Sequence, residues 1–445
     1  MASMSTQAPA TTHSGTLRPM TAWWMLSVLF IFNILDYLDR LILTMLVVPI
    51  KGELGISDFQ MSIILGPAFA VCYALFGLFI GWGVDRYSRR WIIFGGVMIW
   101  SIATVMSGLV ARSYEMLLFF RILCGIGQAT LGPAVVSLLA DAFSRDKMTT
   151  ALSVYQSAAK IGAAAAMAFG GIAMAFSTTY LLEHDVWGIH QPWHLVLAMA
   201  GAPGVILAFL VFTFPEPRRA LSAQTKVAAP KGLLGKTLKD HWQLWLTLLI
   251  GFCSLSILGF ALSGWLPTYF DRRFNWTPIQ YGPGLSLTNL ASAASMVVNG
   301  WIVDRLYRKG IADIHLRFYK WLIIAMSPAF IALTFVHNPY VVLGCYALVQ
   351  FVTLPFFVYA SAVIVLVAPA AARGQVTGIF LGAFTVFGQG LGPMLVGMIT
   401  DYVLHDENMI GESLAIVTIG GMVTAILMLQ LALPYFRRAM QQSHS

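Results

Sequence analysis

The sequence predicts an all-α membrane protein, with twelve transmembrane helices in two six-helix bundles related by a pseudo-two-fold axis. Three observations carry this. Of the 445 residues, 58% are hydrophobic and only 10% are charged, against about 25% charged in a soluble domain. Apolar runs recur twelve times along the chain, each close to the ~20 residues a helix needs to cross the hydrocarbon core. A basic turn after the second run, GWGVDRYSRR (81–90), returns after the eighth as NGWIVDRLYRKG (299–310), as in a parallel repeat of six plus six.

Residues 1–21 are rich in Ser, Thr, Ala and Pro. They lack the basic start, short apolar core and cleavage site of a signal peptide, so they read as a disordered cytoplasmic tail. The N-terminal bundle, 22–214, holds runs at 22–50, 59–84, 91–111, 116–140, 150–178 and 193–214. A basic, Pro-containing cytoplasmic linker follows at 215–241. The C-terminal bundle, 242–433, holds runs at 242–270, 280–303, 317–336, 341–368, 375–403 and 412–433, before a second cytoplasmic tail at 434–445.

Lys and Arg set the orientation. With both termini inside, 19 of the 27 fall in cytoplasmic segments and four outside: Lys51, Arg112, Arg272 and Arg273. This distribution explains the net charge of +8 without a nucleic-acid partner. Cys72, Cys124, Cys253 and Cys345 lie in apolar runs with no disulfide or zinc spacing, so they read as small buried hydrophobes. His184, His190 and His194, near Glu183 and Asp185, fit no rigid metal-ligand spacing. No metal or cofactor is expected. A nucleophile elbow, phosphate loop or HExxH motif is missing too, so the chain does not read as an enzyme.

Charges inside apolar helices are costly and mark ion or substrate paths. The first run contains NILDYLDR (33–40), where Asp36, Asp39 and Arg40 share a helix face as i, i+3 and i+4. Arg121 and Gln128 share a face of the fourth helix, as do Gln156 and Lys160 on the fifth. At ~1.5 Å per residue, these groups fall within the middle third of the membrane. The second half has no charge near a helix centre and offers aromatic and amide residues instead, among them Trp265, Tyr269, Asn289, Gln350 and Tyr359. Two acids close together in a low dielectric do not both ionise easily. Asp36 is therefore expected to carry the proton, with Asp39 held by Arg40 and Arg121. Arg121 and Lys160 would anchor an anionic substrate group, Arg as a fork and Lys as a point charge. Tyr37, Tyr155, Gln128, Gln156, Trp265 and Tyr359 are candidate further contacts.

GWGVDRYSRR resembles the loop 2–3 signature of the major facilitator superfamily, Gly-x-x-x-Asp-Arg-x-x-Arg-Arg/Lys. The resemblance implies a cytoplasmic gate. Gly81 would give close helix approach, Asp85 would cap helix 11, and one of Arg86, Arg89 and Arg90 would pair with Asp141. Asp304 and Arg305 form the second copy. NILDYLDR, RILCGIGQA (121–129) and GWLPTYF (264–270) resemble the bacterial spinster group, with a similar pattern in the organic anion/cation symporters. Asp39, Arg40 and Arg121 match that group, whereas Asp36 replaces its Asn and Gln128 its Glu. The likeness implies a secondary active transporter using alternating access, driven by protons. Its substrate would be an organic anion or zwitterion, lysolipid-like or a small carboxylate. A monomer in the bacterial inner membrane is implied as well. A multidrug antiporter is less consistent, because GAAAAMAFGG (162–171) lacks the antiporter Pro. Gln128 leaves an uncoupled facilitator open.

Overall fold

The computed structural model describes residues 18–84, 86–184, 191–217, 232–311, 313–353, 355–369 and 372–444. The helices are α1 Pro19–Ile42, α2 Asp58–Val84, α3 Arg89–Leu109, α4 Tyr114–Ala142, α5 Arg145–Glu183 and α6 Pro192–Thr213. The second half has α7 Trp242–Phe274, α8 Pro278–Arg308, α9 Ile314–Phe335, α10 Pro339–Val367, α11 Arg373–Leu404 and α12 Ile410–His444. Among the described residues, ten are long and apolar enough to cross a membrane. The other two, α1 and α8, have the length, at 24 and 31 residues. Polar side chains set them apart: Asp36, Asp39 and Arg40 on α1, Asn289 and Asn299 on α8.

Local chemistry explains the helix starts. Ser57 and Gln60 form a capping box at the start of α2, and Thr277 and Gln280 form its equivalent at α8. Each satisfies two backbone donors that a helix start leaves unpaired. These boxes are a second trace of the repeat, at nearly the same offset as the basic turns.

One expectation is corrected. The first run is not one helix to residue 50. After Ile42 comes a 3-10 turn, Leu43–Met45, and a separate helix, Val47–Leu54. Pro49 is the reason: its ring clashes with the carbonyl four residues back and it donates no hydrogen bond. The linker contains an eight-residue helix, Leu233–Asp240, while 218–231 lie outside the described residues. The second tail is helical, because α12 continues through Pro434 to His444.

The two bundles meet at the end far from both chain termini. There, a Cβ on Gly66 of α2 would lie 2.5 Å from the Gly390 carbonyl of α11. One on Gly282 of α8 would lie 2.5 Å from the Met167 carbonyl of α5. Only glycine allows such backbone approach. Charges close the same end. Asp58 is fully buried and accepts from Lys51 and, at 2.7 and 2.8 Å, from Arg272. Glu407 joins the same two cations at 2.9 and 3.2 Å. The Asp401 carboxylate accepts from the Phe59 amide at 2.6 Å. Toward the termini the contact is lost: a Cβ on Gly77 or Gly81 would meet nothing within 4 Å. The tight packing expected of Gly81 is therefore not made, since α2 leaves α11 beyond Ala70.

Candidate functional site

Close helix contacts assemble the site inside the first bundle. A Cβ at Gly162 of α5 would lie 2.6 Å from the Ile34 carbonyl, and the Asn33 amide donates to the Tyr155 carbonyl at 2.9 Å. Both fix α1 on α5. A Cβ on Gly96 or Gly127 would come within 2.7 Å of the other's carbonyl, which presses α3 on α4. Asp36, Asp39 and Arg40 are thereby set against Thr104 of α3 and Arg121, Cys124 and Gln128 of α4.

The result is one continuous buried network. Arg40 Nη2 donates to both Asp36 oxygens at 3.2 and 3.0 Å and to Gln128 Oε1 at 3.2 Å. Gln128 Nε2 donates to Asp39 Oδ2 at 2.8 Å. The Thr104 hydroxyl bonds Asp39 Oδ1. Arg40 also lies among the rings of Tyr37, Phe69 and Tyr73, at 4.9, 4.6 and 5.5 Å, where π faces stabilise a cation.

The expected pairing is corrected: Arg40 binds Asp36, not Asp39. The i, i+4 spacing lets Arg40 reach back along α1 to Asp36, while Asp39, one residue before Arg40, turns toward α3 and α4. Arg121 pairs with neither acid at hydrogen-bond distance. It donates to the carbonyls of Ile64 and Arg40, at 3.2 and 3.3 Å, and its guanidinium lies 5.0 Å from the Phe69 ring. Asp39, Thr104, Ser107, Arg121 and Cys124 line a cavity of about 20 Å³, room for about one water molecule.

Gln156 and Lys160 share a face of α5 with Met167 and Gly171, where α5 meets α8. Gln156 is exposed and Lys160 partly so. They lie where the bundles have parted. Trp265 does not reach this space: it is fully buried and donates to the Pro393 carbonyl at 2.9 Å. Tyr359 is buried in the second bundle, stacked on Tyr319 at 4.2 Å. Tyr155 is buried between α5 and α1. The polar centre of the second half is Gln350, which donates to Asn289 at 3.3 Å and to Tyr346 at 3.1 Å.

Near the termini, Arg89 is fully buried and acts as a hub. It binds Asp141, Glu216 at 3.0 Å, Ser137 Oγ at 3.1 Å and the Pro217 carbonyl at 2.7 Å. Glu216 also accepts from the Ser88 hydroxyl at 2.5 Å and the Arg89 amide at 2.9 Å. Burial pushes its carboxyl up, but the Ser88 and Arg89 hydrogen bonds and the Arg89 charge outweigh burial and hold it below the usual range. Arg90 donates to the Phe214 carbonyl at 2.7 Å. Arg86 and Arg305 lie over Trp82 and Trp301, at 3.9 and 5.4 Å. Asp85 and the Asp304 side chain lie outside the described residues.

Sequence reasoning missed Thr104, Glu216 and the Asp58 cluster. Glu216 had a signal, the PEPRR run (215–219) ending α6. Thr104 had none, since a lone Thr in an apolar helix is ordinary. His194 is buried and contacts Gly108 O at 2.6 Å and Glu53 at 3.1 Å. His190 and Asp185 lie outside the described residues. Among the described residues no cluster of metal-ligating side chains occurs.

Known proteins resemble this chain throughout its length. An MFS-type efflux pump of Mycolicibacterium smegmatis is 25% identical over 89% of this chain and 88% of its own. The D-galactonate transporter of Escherichia coli is 26% identical over 64% of this chain and 68% of its own. In fold, the chain matches a bacterial homolog of the human lysosomal transporter spinster, solved inward-facing and unoccupied. That likeness has a TM-score of 0.76 and 21% identity over 96% of this chain and 98% of the other. Residues 29–393 match the family profile, and the chain belongs to the Major Facilitator Superfamily, as a membrane transporter rather than an enzyme.

Proposed function

We propose that the chain is a proton-coupled secondary transporter of an organic anion, working by alternating access, with Asp39 as the acid that binds the proton. One observation carries the assignment: Arg40 is taken by Asp36, while among the described residues Asp39 is bonded only by the neutral groups of Gln128 and Thr104. Protonating Asp36 would leave a buried cation unpaired, which is costly. Protonating Asp39 breaks no ion pair at hydrogen-bond distance and rearranges its bonds to the neutral Gln128 and Thr104.

Coupling then follows from charge. When Asp39 is neutral, Arg121, which lines the same small cavity, is left as an uncompensated cation. An anion is then favoured electrostatically, so proton and anion move together. The name of the D-galactonate transporter is in line with an anionic substrate. By the excess of Lys and Arg on that side, both termini would lie in the cytoplasm. The closed end is then outside and the site opens inward. The bilayer in question would be the bacterial inner membrane, with the monomer as the working unit.

The test is uptake into proteoliposomes, with D-galactonate and a lysophospholipid as probes, under an imposed pH gradient. Wild type should accumulate one of the two along with protons. Asp39→Asn should abolish gradient-driven accumulation while leaving exchange. Asp36→Asn should impair exchange as well, by stranding Arg40. Gradient-driven uptake that survives in Asp39→Asn would sink the assignment.

A further inference from the structure

We infer that Thr104 is a positioning residue for Asp39, whose single hydroxyl proton changes acceptor when the acid takes up a proton. This rests on the reading of Asp39 given above. Thr104 Oγ1 lies within hydrogen-bond distance of Asp39 Oδ1 and 3.0 Å from the Trp100 carbonyl, with Cys124 Sγ at 3.4 Å. A hydroxyl has one hydrogen and two lone pairs, so it cannot donate to the carboxylate and the carbonyl at once.

The neighbouring amide decides which oxygen takes the proton. Gln128 Oε1 accepts from Arg40 at 3.2 Å. Arg can only donate, so this contact fixes the amide orientation. Gln128 Nε2 is then a donor aimed at Asp39 Oδ2, at 2.8 Å. A proton on Oδ2 would face another hydrogen, so it belongs on Oδ1, toward Thr104. With Asp39 ionised, the Thr104 hydroxyl donates to Oδ1. With Asp39 protonated, Oδ1–H donates to Thr104, and the hydroxyl turns to the Trp100 carbonyl. The Thr104 hydroxyl has an acceptor in both states, and so does the acid proton when it is present.

The charged groups acting on Asp39 are Arg121 from α4 and Asp36 and Arg40 from α1. Cys124 lines the same cavity from α4, and α6 presents Leu197 there. Tyr37 on α1 and Tyr73 on α2 flank Arg40. Among the described residues, Thr104 is the one hydrogen-bond partner of Oδ1.

The experiment needs no substrate. The infrared carboxyl C=O band of purified protein in nanodiscs is titrated against pH, with Asp39→Asn identifying the band. Thr104→Ser should keep the wild-type midpoint. Thr104→Val, which is nearly isosteric, removes a donor that the ionised carboxylate uses. Its midpoint should rise by about one pH unit, with the C=O band at higher frequency. Thr104→Ala is read beside it should the Val variant fail to fold. If the band vanishes in Asp39→Asn and Thr104→Val still titrates like wild type, the inference about Thr104 falls alone. If the band persists in Asp39→Asn, the reading of Asp39 falls and the inference with it.

Discussion

Gln128 shows how one side chain organises the site. It stands where the resembled group has Glu, and its amide joins two elements by accepting from Arg40 and donating to Asp39. A carboxylate could accept from Arg40 but would repel Asp39. The amide keeps the chain of donors intact and leaves Asp39 as the acid without a cationic partner. Glu216 plays a comparable role near the termini, and its low carboxyl pKa makes its contribution pH-dependent. A group whose folded pKa is depressed stabilises above its unfolded value, about 4.3 for Glu, and loses this as pH falls through the folded value. Glu216→Gln should therefore lower the melting temperature by about 2 °C at pH 7. The gap to wild type should close in thermal scans below about pH 4. A gap independent of pH would show that Glu216 acts by packing alone.

At the level of elements, α2 packs on α11 tightly at one end. Gly66, Ala70 and Gly77 share one face of α2 by helical spacing. The first two meet Gly390, whereas nothing lies within 4 Å of a Cβ on Gly77. The packing is thus made at one end and absent at the other, as expected of a helix pair that rocks. Gly66→Ala would place a methyl 2.5 Å from the Gly390 carbonyl, a backbone group that cannot turn aside. It should weaken closure of that end by about 1–3 kcal/mol. The rate of thiol labelling at a cysteine placed in the adjoining vestibule should rise accordingly. An unchanged rate would mean that α2 and α11 yield without opening.

In the whole molecule, the two bundles hold one end closed through two ion pairs, one from each bundle, that also bond across the interface. Asp58 and Lys51 come from the first, Arg272 and Glu407 from the second. Asp58 is fully buried, and removing one member of a buried ion cluster costs about 3–5 kcal/mol. Asp58→Asn should therefore shift the balance toward opening at that end by roughly 100-fold or more. Distances between spin labels on the tips of α2 and α11 report that population directly. A distribution like that of wild type would leave the cluster without a gating role.

The sequence alone determined the architecture, because it is written in local terms: apolar length, capping residues, charge bias and a repeated basic turn. It also brought out Asp36, Asp39, Arg40, Arg121 and Gln128, since polar groups inside apolar helices stand out by composition. Pro49 marks the break in the first run, although apolar length alone predicts one continuous helix there. What only the tertiary structure decided is which groups bond to which. Spacing puts Asp36 and Asp39 on one face of α1. The neighbouring helices then part them, one to Arg40 and the other to Gln128 and Thr104. Trp265 turned inward to the Pro393 carbonyl, and Asp58 found Arg272 across 214 residues. Helical periodicity fixes where a side chain points around its own axis. The partner it meets depends on how neighbouring helices are rotated and placed, and that is a property of the packed bundle.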